Sequence, residues 1–446
     1  MSRTWIWLGA AVLLAPCTAA SGATLNTIYS FCPQNGCSDG DFPATGLVRD
    51  ASGNLYGVAG AGGAGQKGVI FELSPPSTPE GAWQYSVLYS FCTQTACADG
   101  ATPEQSLILD TAGNLYGTTS EGGASHDAGI VFELEAPSGH GSRKLRVLHN
   151  FCTFVNCTDG GGTYDDPSSL TYAGAASGAL YDGTSPLYGT TMSGGSHGSG
   201  VAYALQPETT GGRTKWRQKV IYDFCKRTGC PDGANPFGAL LADASGNLFG
   251  VANNGGVDST SGVVFELSRP DLRWKEQVLH KFCSSKDCAD GKTPVGPLIF
   301  DAAGDLLGVT TGGGKPVFDG RSGWGVAYKL AFDGSAWQES VLHQFCSHTD
   351  CSDGYAPQAP LAMDAAGNLF GATETHGDNS SDDGGTVYRL SGSGFKTIYT
   401  FCEGGGCVVT QQYPQGGLLL DADGHLFGTT GEGGANQFGQ IFELVP

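Results

Sequence analysis

The sequence predicts an all-β protein, a seven-bladed β-propeller of four-stranded antiparallel blades closed by the N-terminal strand joining the last blade. Three observations carry this prediction. A Cys, four residues, Cys spacing occurs seven times, at Cys32/Cys37, Cys92/Cys97, Cys152/Cys157, Cys225/Cys230, Cys283/Cys288, Cys346/Cys351 and Cys402/Cys407, and the first cysteines of successive pairs stand 56 to 73 residues apart. Each interval holds four short runs of aliphatic, aromatic and β-branched residues with turn residues between them, as in SLILD, NLYGTTS, GIVFELE and RKLRVLHNF of the second copy. One four-stranded sheet per repeat of this length is a propeller blade. Before the first cysteine pair stands a single run, TLNTIYSF, and after the last pair stand three, GLLLD, HLFGTT and QIFELV. One plus three completes a blade, and a ring closed in this way has no exposed sheet edge.

At the N-terminus, residues 1–23 carry Arg3, the apolar run WIWLGAAVLLA and the small-residue stretch TAASGA, the build of a secretory signal peptide. The apolar run is too short to span a bilayer. This leaves residues 24–446 as a single propeller domain with no transmembrane segment. Cleavage after Ala20 or Ala23 removes Cys17, and the other 14 of the 15 cysteines form the seven pairs. In an exported chain an even set of this kind implies disulfides. Lipoprotein anchoring through Cys17 is disfavoured because Pro16 stands where a small residue is wanted. The expected location is secreted, periplasmic or cell-surface. A formal net charge of -20 with no long basic cluster argues against nucleic acid and anionic membranes as partners. A monomer without a cofactor is expected.

Within the repeat, the turn Asp110 to Asn114 recurs at Asp50 to Asn54, Asp243 to Asn247, Asp301 to Asp305, Asp364 to Asn368 and Asp421 to His425, with Gly in fourth place each time. Glycine supplies the left-handed conformation that closes a hairpin, and the leading Asp accepts local backbone N–H groups. A proline stands seven residues before the Asp in six copies, at Pro43, Pro103, Pro236, Pro294, Pro357 and Pro414. It marks the mouth of the first strand, where no ladder donor is needed. Strand alternation then places the cysteine loops and the Gly-rich loops between strands two and three on one face, and the Asp-Gly hairpins on the other. A bridge closing so short a loop stabilises by only about 2 kcal/mol in the chain-entropy account. Pooled zinc-binding thiols are excluded by their placement on separate blades and by oxidation outside the cytoplasm. Asp39, Asp99, Asp159, Asp232, Asp290 and Asp353, each two residues past the second cysteine, read as turn formers.

The run SFC with DG soon after, then PEQSLILDTAGNLYGTT, GG and GIVFEL, resembles the GloVer tandem repeat of exported bacterial choice-of-anchor proteins. The resemblance covers about Leu25 to Leu444 and implies export, a propeller-like β fold and no established activity. Members of that family commonly end in a sorting or anchoring tail, whereas this sequence stops at Pro446.

Residues present in every copy build blades, so function is sought where one copy departs from the others. In the third copy the first hairpin swells to SLTYAGAASGALYDGTSPLYGTT, about nine residues longer than its counterpart, on the Asp-Gly face. In the fifth, the loop between strands two and three becomes TGGGKPVFDGRSGWG and offers Lys315, Phe318, Asp319, Arg321 and Trp324 as candidate binding residues, with Trp324 able to stack on a sugar or to lie as a lid over its neighbour. In the sixth, Asp378, Asn379, Asp382 and Asp383 read as a solvated acidic loop rather than a calcium site. Trp83, Trp216, Trp274 and Trp337 read as packing residues. His149, His280 and His343 occupy the position of Tyr29, Tyr89, Tyr222 and Tyr399 and read as packing with one polar tip. His126, His197 and His376 stand on too many blades to share a metal. No nucleophile elbow, paired metal-binding histidines, phosphate loop or unique carboxylate pair stands out. The expected function is an exported non-enzymatic scaffold that binds a glycan, matrix component or extracellular protein through its disulfide-stapled face. The alternative is an extracellular hydrolase or lyase acting in the central channel, with a cation where its chemistry requires one. A purely structural, self-associating surface protein is a third reading.

Overall fold

The computed structural model describes residues 23–446 apart from 35, 79–80, 125, 138–140, 162–167, 212, 316–322, 348–350, 376–383 and 402–412. Seven four-stranded antiparallel sheets form a ring, as the sequence predicts. Blade 2 shows the pattern, running from the channel outward as Ile108–Leu109, Leu115–Thr119, Ile130–Glu135 and Lys144–Asn150. Blade 7 takes Leu419–Leu420, Leu426–Thr430 and Gln440–Val445 from the C-terminal end and Thr24–Ser30 from the N-terminal end. Thr24 pairs with Val445 and Ser30 with Gln440, which closes the ring.

Each turn of the Asp-Gly face is built as its residues dictate. In blade 2, Asp110 Oδ1 accepts the N–H groups of Ala112 and Asn114, Oδ2 accepts the Asn114 amide at 2.8 Å, and Gly113 takes φ +84. On the opposite face, six disulfides join Cys32–Cys37, Cys92–Cys97, Cys152–Cys157, Cys225–Cys230, Cys283–Cys288 and Cys346–Cys351. The sequence predicts a seventh bridge, between Cys402 and Cys407. These six do not include it, because Cys402 and Cys407 both lie outside the described residues. The Cys97 carbonyl accepts N–H from both Gly100 and Gly123, which ties the Gly-rich loop to the stapled loop on one face.

One glycine has a packing role. The Gly at the third position of strand two lies directly beneath the buried aromatic ring of strand three, Gly117 under Phe132 and Gly250 under Phe265, and a Cβ on Gly250 would come within 2.7 Å of that ring. The sheet can seat so large a ring there because its partner has no side chain.

Where blades meet, the aspartates of the cysteine loops do more than turn the chain. Tyr29 and Tyr89 donate their hydroxyls to Asp39 and Asp99 at 2.8 Å, and Tyr222 to Asp232 at 2.9 Å. His343 Nε2 stands 3.0 Å from Asp353, with His149 and His280 at 3.5 and 3.4 Å from Asp159 and Asp290. Tyr and His exchange at this position because either can satisfy a carboxylate. The following blade covers such pairs with its outer strand: Tyr85 stacks on Tyr29 and Phe395 on His343. At the junction of blades 3 and 4 the cover is Glu276, whose carboxyl is pushed up to about 7 first by burial and then by the charge of Asp232.

Two outcomes follow for stability. Gly250→Ala is expected to destabilise by about 1–3 kcal/mol through overpacking, whereas Gly392→Ala, with nothing within 4 Å of the added methyl, should stay within about 0.5 kcal/mol of wild type; denaturant unfolding of both checks this. Glu276 favours the protonated fold, so its contribution to stability is full below pH 4.5 and is lost as pH rises through about 7. Calorimetry across that window should therefore show the Tm of Glu276→Gln gaining on that of wild type as the pH rises.

Candidate functional site

All seven first strands begin at the stapled face and converge on one cavity of ≈ 400 Å³ at the ring's axis. Its wall is mostly small: Gly46, Ser106, Ser169, Gly296, Pro360 and Gly417 come from six different blades. Small residues are needed because neighbouring first strands nearly touch. A Cβ on Gly238 of blade 4 would meet the backbone of Gly296 of blade 5 at 2.7 Å, and one on Gly46 would meet Ser106 Oγ at 2.8 Å. Polar bonds run from blade to blade along this rim. Ser106 Oγ accepts the Gly46 N–H, Ser169 Oγ accepts the Ser106 N–H, and Gln105 Oε1 accepts from both the N–H and the hydroxyl of Ser169. Thr429 Oγ1 donates to the Thr45 carbonyl at 2.8 Å across the closing junction.

Against this repeated background stand side chains that single copies contribute. The residue after the strand-opening proline is Ala44, Glu104, Val295, Gln358 or Gln415 according to the copy, and Phe237 stands there in blade 4. Glu374 follows the second strand of blade 6 where other copies have Gly60, Ser120 or Gly431. The Gln358 amide donates to Glu374 Oε2, and the Gln415 amide approaches Oε1 at 3.4 Å. Blades 6 and 7 thus clasp one carboxylate between two amides beside the channel. Tyr413, half-buried next to this group, has its hydroxyl pKa raised by burial first and then by the charges of Glu432 and Glu374 and by Tyr355. Glu104 enters the cavity wall from blade 2, on the far side of the ring. Among the described residues no Lys or Arg lines the cavity.

The opposite mouth is covered. The swollen hairpin of the third copy leaves the strand Thr171–Tyr172, makes a 3-10 turn at Ala175–Ser177 and returns at Leu187–Thr191. Tyr181 anchors it on blade 2: the ring is fully buried with its edge against Tyr116, and its carbonyl accepts the Thr111 N–H at 3.0 Å. Ala176 reaches the far side, where it shares a cavity with Phe300 of blade 5 and Met363 of blade 6. The hairpin therefore crosses the Asp-Gly mouth, and the channel is approached from the stapled face.

Of the binding residues expected from the sequence, Lys315 is exposed and is held through its backbone, its N–H donating to Gln344 Oε1 and its carbonyl accepting the Gln344 amide. Phe318, Asp319 and Arg321 lie outside the described residues. Trp324 is half-buried, packs on Tyr355 of the next blade with ring centroids 4.9 Å apart, and its carbonyl accepts the Ala356 N–H. His126 contacts the Cys152 carbonyl and His197 pairs with Asp223, while His376, Asp378, Asn379, Asp382 and Asp383 lie outside the described residues. Among the described residues no group of three or more His, Cys, Asp or Glu side chains is arranged to hold a metal ion, and no helix is long and apolar enough to cross a membrane. Sequence reasoning misses Glu104, Gln358, Glu374, Tyr413 and Gln415. Comparing the copies at the residue after the proline is the signal that finds Glu104, Gln358 and Gln415.

Among solved structures, the fold is similar to a polysaccharide lyase described as a PL25 ulvan lyase, at 11% identity over 90% of this chain and 92% of that one with a TM-score of 0.52. The same lyase bound to a GlcA–Rha3S saccharide matches at 11% identity over 90% and 94% with a TM-score of 0.50. Polysaccharide lyase Uly1 matches at 11% identity over 93% and 90% with a TM-score of 0.48. No curated protein sequence matches the chain. The expectation of a non-enzymatic scaffold is corrected by these findings: the fold is shared with polysaccharide lyases, which fits the alternative of an enzyme acting in the channel better than a scaffold. The repeat profile of the Gloeobacter/Verrucomicrobia repeat family matches residues 17–185, 166–319 and 316–446, and the chain belongs to that family.

Proposed function

We propose that the protein is an exported glycan-active enzyme, a hydrolase or lyase that cleaves a polysaccharide at the stapled-face mouth of its central channel. The observation that carries this reading is the convergence of copy-specific polar residues on a cavity that all seven blades share. Disulfides belong to oxidising compartments, which agrees with export by residues 1–23. The fold's likeness to polysaccharide lyases supports the substrate class.

In this reading Glu374 is the proton acceptor. Two amide donors hold the carboxylate in place beside the channel. The Tyr413 hydroxyl, its pKa raised, stays protonated at neutral pH and can hand a proton to the departing glycosidic oxygen. Glu104 faces this pair from blade 2. Half-buried Trp324, packed on the buried Tyr355 of the next blade, keeps part of its ring available for a sugar to stack on. A mouth whose described wall carries the Glu104 carboxylate, with Glu374 beside it and no cation, suits a neutral glycan, or a uronate-bearing one that brings a divalent cation between the like charges.

The test is a panel of neutral and uronate-bearing polysaccharides, incubated with the purified protein with and without chelator. New reducing ends report either chemistry; ultraviolet absorbance of unsaturated uronate ends reports a lyase. Glu374→Gln should lower turnover by about a hundredfold or more while leaving Tm unchanged. Absence of product across the panel, or full activity in Glu374→Gln, overturns the proposal.

A further inference from the structure

The four tryptophans that read as packing residues share one task. Each stands near the start of the outer strand of its blade and wedges against an aromatic ring on the second strand of the preceding blade: Trp83 on Phe427, Trp216 on Tyr116, Trp274 on Tyr188 and Trp337 on Phe249, with ring centroids 6.1 to 6.5 Å apart. Blade 2 uses Arg143 instead, its guanidinium 5.9 Å over the Tyr56 ring. A wedge therefore closes five of the seven junctions.

The junction of blades 5 and 6 has lost both halves of this contact. Strand pairing sets Glu339 opposite Leu330 in blade 5 and Phe395 opposite Leu390 in blade 6, so Ser393 occupies in blade 6 the wedge position of Trp337. Leu307 stands where the facing aromatic ring would be. At this junction a cavity of ≈ 800 Å³ opens, lined by Leu307, Met363, Leu369 and Leu390, with Asp301 and Lys329 among its polar groups. Ala176 of the third-copy hairpin bounds it as well. The junction of blades 6 and 7, with Ala23 at the wedge position, keeps Phe370, and its cavity is lined by Arg389, Lys396, Asp423 and His425. Only the first of these two is mainly apolar.

We propose that the junction of blades 5 and 6 is a binding site for a small aromatic ligand, an indole-sized ring seated where other junctions hold their own tryptophan. The chain itself shows the fit, because the same pair of strands accepts an indole at four equivalent positions. The cavity's size and its apolar walls with a few polar groups are those of a small-molecule site, which spans about 300–1,000 Å³. Lys329 bridges Asp301 at 2.9 Å and Asp305 at 2.5 Å, and Asp364 also lines the cavity, so the polar side is acidic and suits a ring N–H donor, for which the Asp301 carboxylate supplies an acceptor. The site lies on the Asp-Gly side, away from Glu374, and stands or falls independently of the catalytic proposal.

Met363 reports on this site, being one of three methionines in the sequence. The experiment is a titration of the full protein, labelled at its methionine methyl groups with carbon-13, with free indole. A saturable ring-current shift of the Met363 methyl is expected, with Met192 unmoved. In Ser393→Trp the Met363 methyl should already be displaced and should no longer respond. If that variant does not fold, Leu307→Phe provides the second arm and should weaken indole binding by about tenfold or more. A Met363 methyl that ignores indole, or a response that survives Ser393→Trp or Leu307→Phe unchanged, overturns the proposal. A response to a tryptophan-bearing peptide but not to free indole also overturns it, in favour of protein docking.

Discussion

The structure depends on one pairing, that of Thr24–Ser30 with Gln440–Val445. Without it the last sheet would lack its outer strand and present the edge of Gln440–Val445 to solvent. With it, seven sheets share a single axis, and every first strand must begin near that axis. The tight rim of Gly, Ser and Pro follows from this convergence. Any larger side chain that one copy places there enters a space it shares with six others. Ring closure is thus the cause of the channel as well as of the fold.

Much of this is legible in the sequence because repeats state local rules many times over. The Asp-x-x-Gly turns, the cysteine pairs and the one-plus-three arrangement of strands each depend on residues close together in the chain, or on a count. What is not legible depends on register between distant segments. Nothing near Gly250 in sequence reveals that the Phe265 ring sits on it. The clasp around Glu374 joins residues from two blades, and the first strands of opposite blades meet only through closure. The Tyr and His of the outer strands show a polar tip in sequence but not its partner. A turn explains Asp-Gly by itself, so nothing local points to the carboxylates ten residues on as the groups those tips satisfy.

Repetition also separates scaffold from function in physical terms. A residue that every blade needs is fixed by packing, and a residue that one blade alone carries is free of that constraint. Two places collect such residues. The channel gathers Glu104, Gln358 and Gln415 on a wall made largely of small residues, with Glu374 held beside it, and the junction of blades 5 and 6 gathers losses of bulk where five other junctions are wedged shut. The fifth-copy loop, prominent in sequence because of its composition, contributes Trp324, which packs on Tyr355 of the next blade.

The hairpin of the third copy gives the channel a direction. Anchored by Tyr181 and lying across the Asp-Gly mouth, it turns a through-hole into a blind pit. A long polymer cannot be threaded through a pit and fed forward. It can only dip a terminus into the opening or drape a bend across it, and whatever is released must leave by the route through which it came. Threading in one direction is thereby closed to this channel, and whatever enters it must retreat.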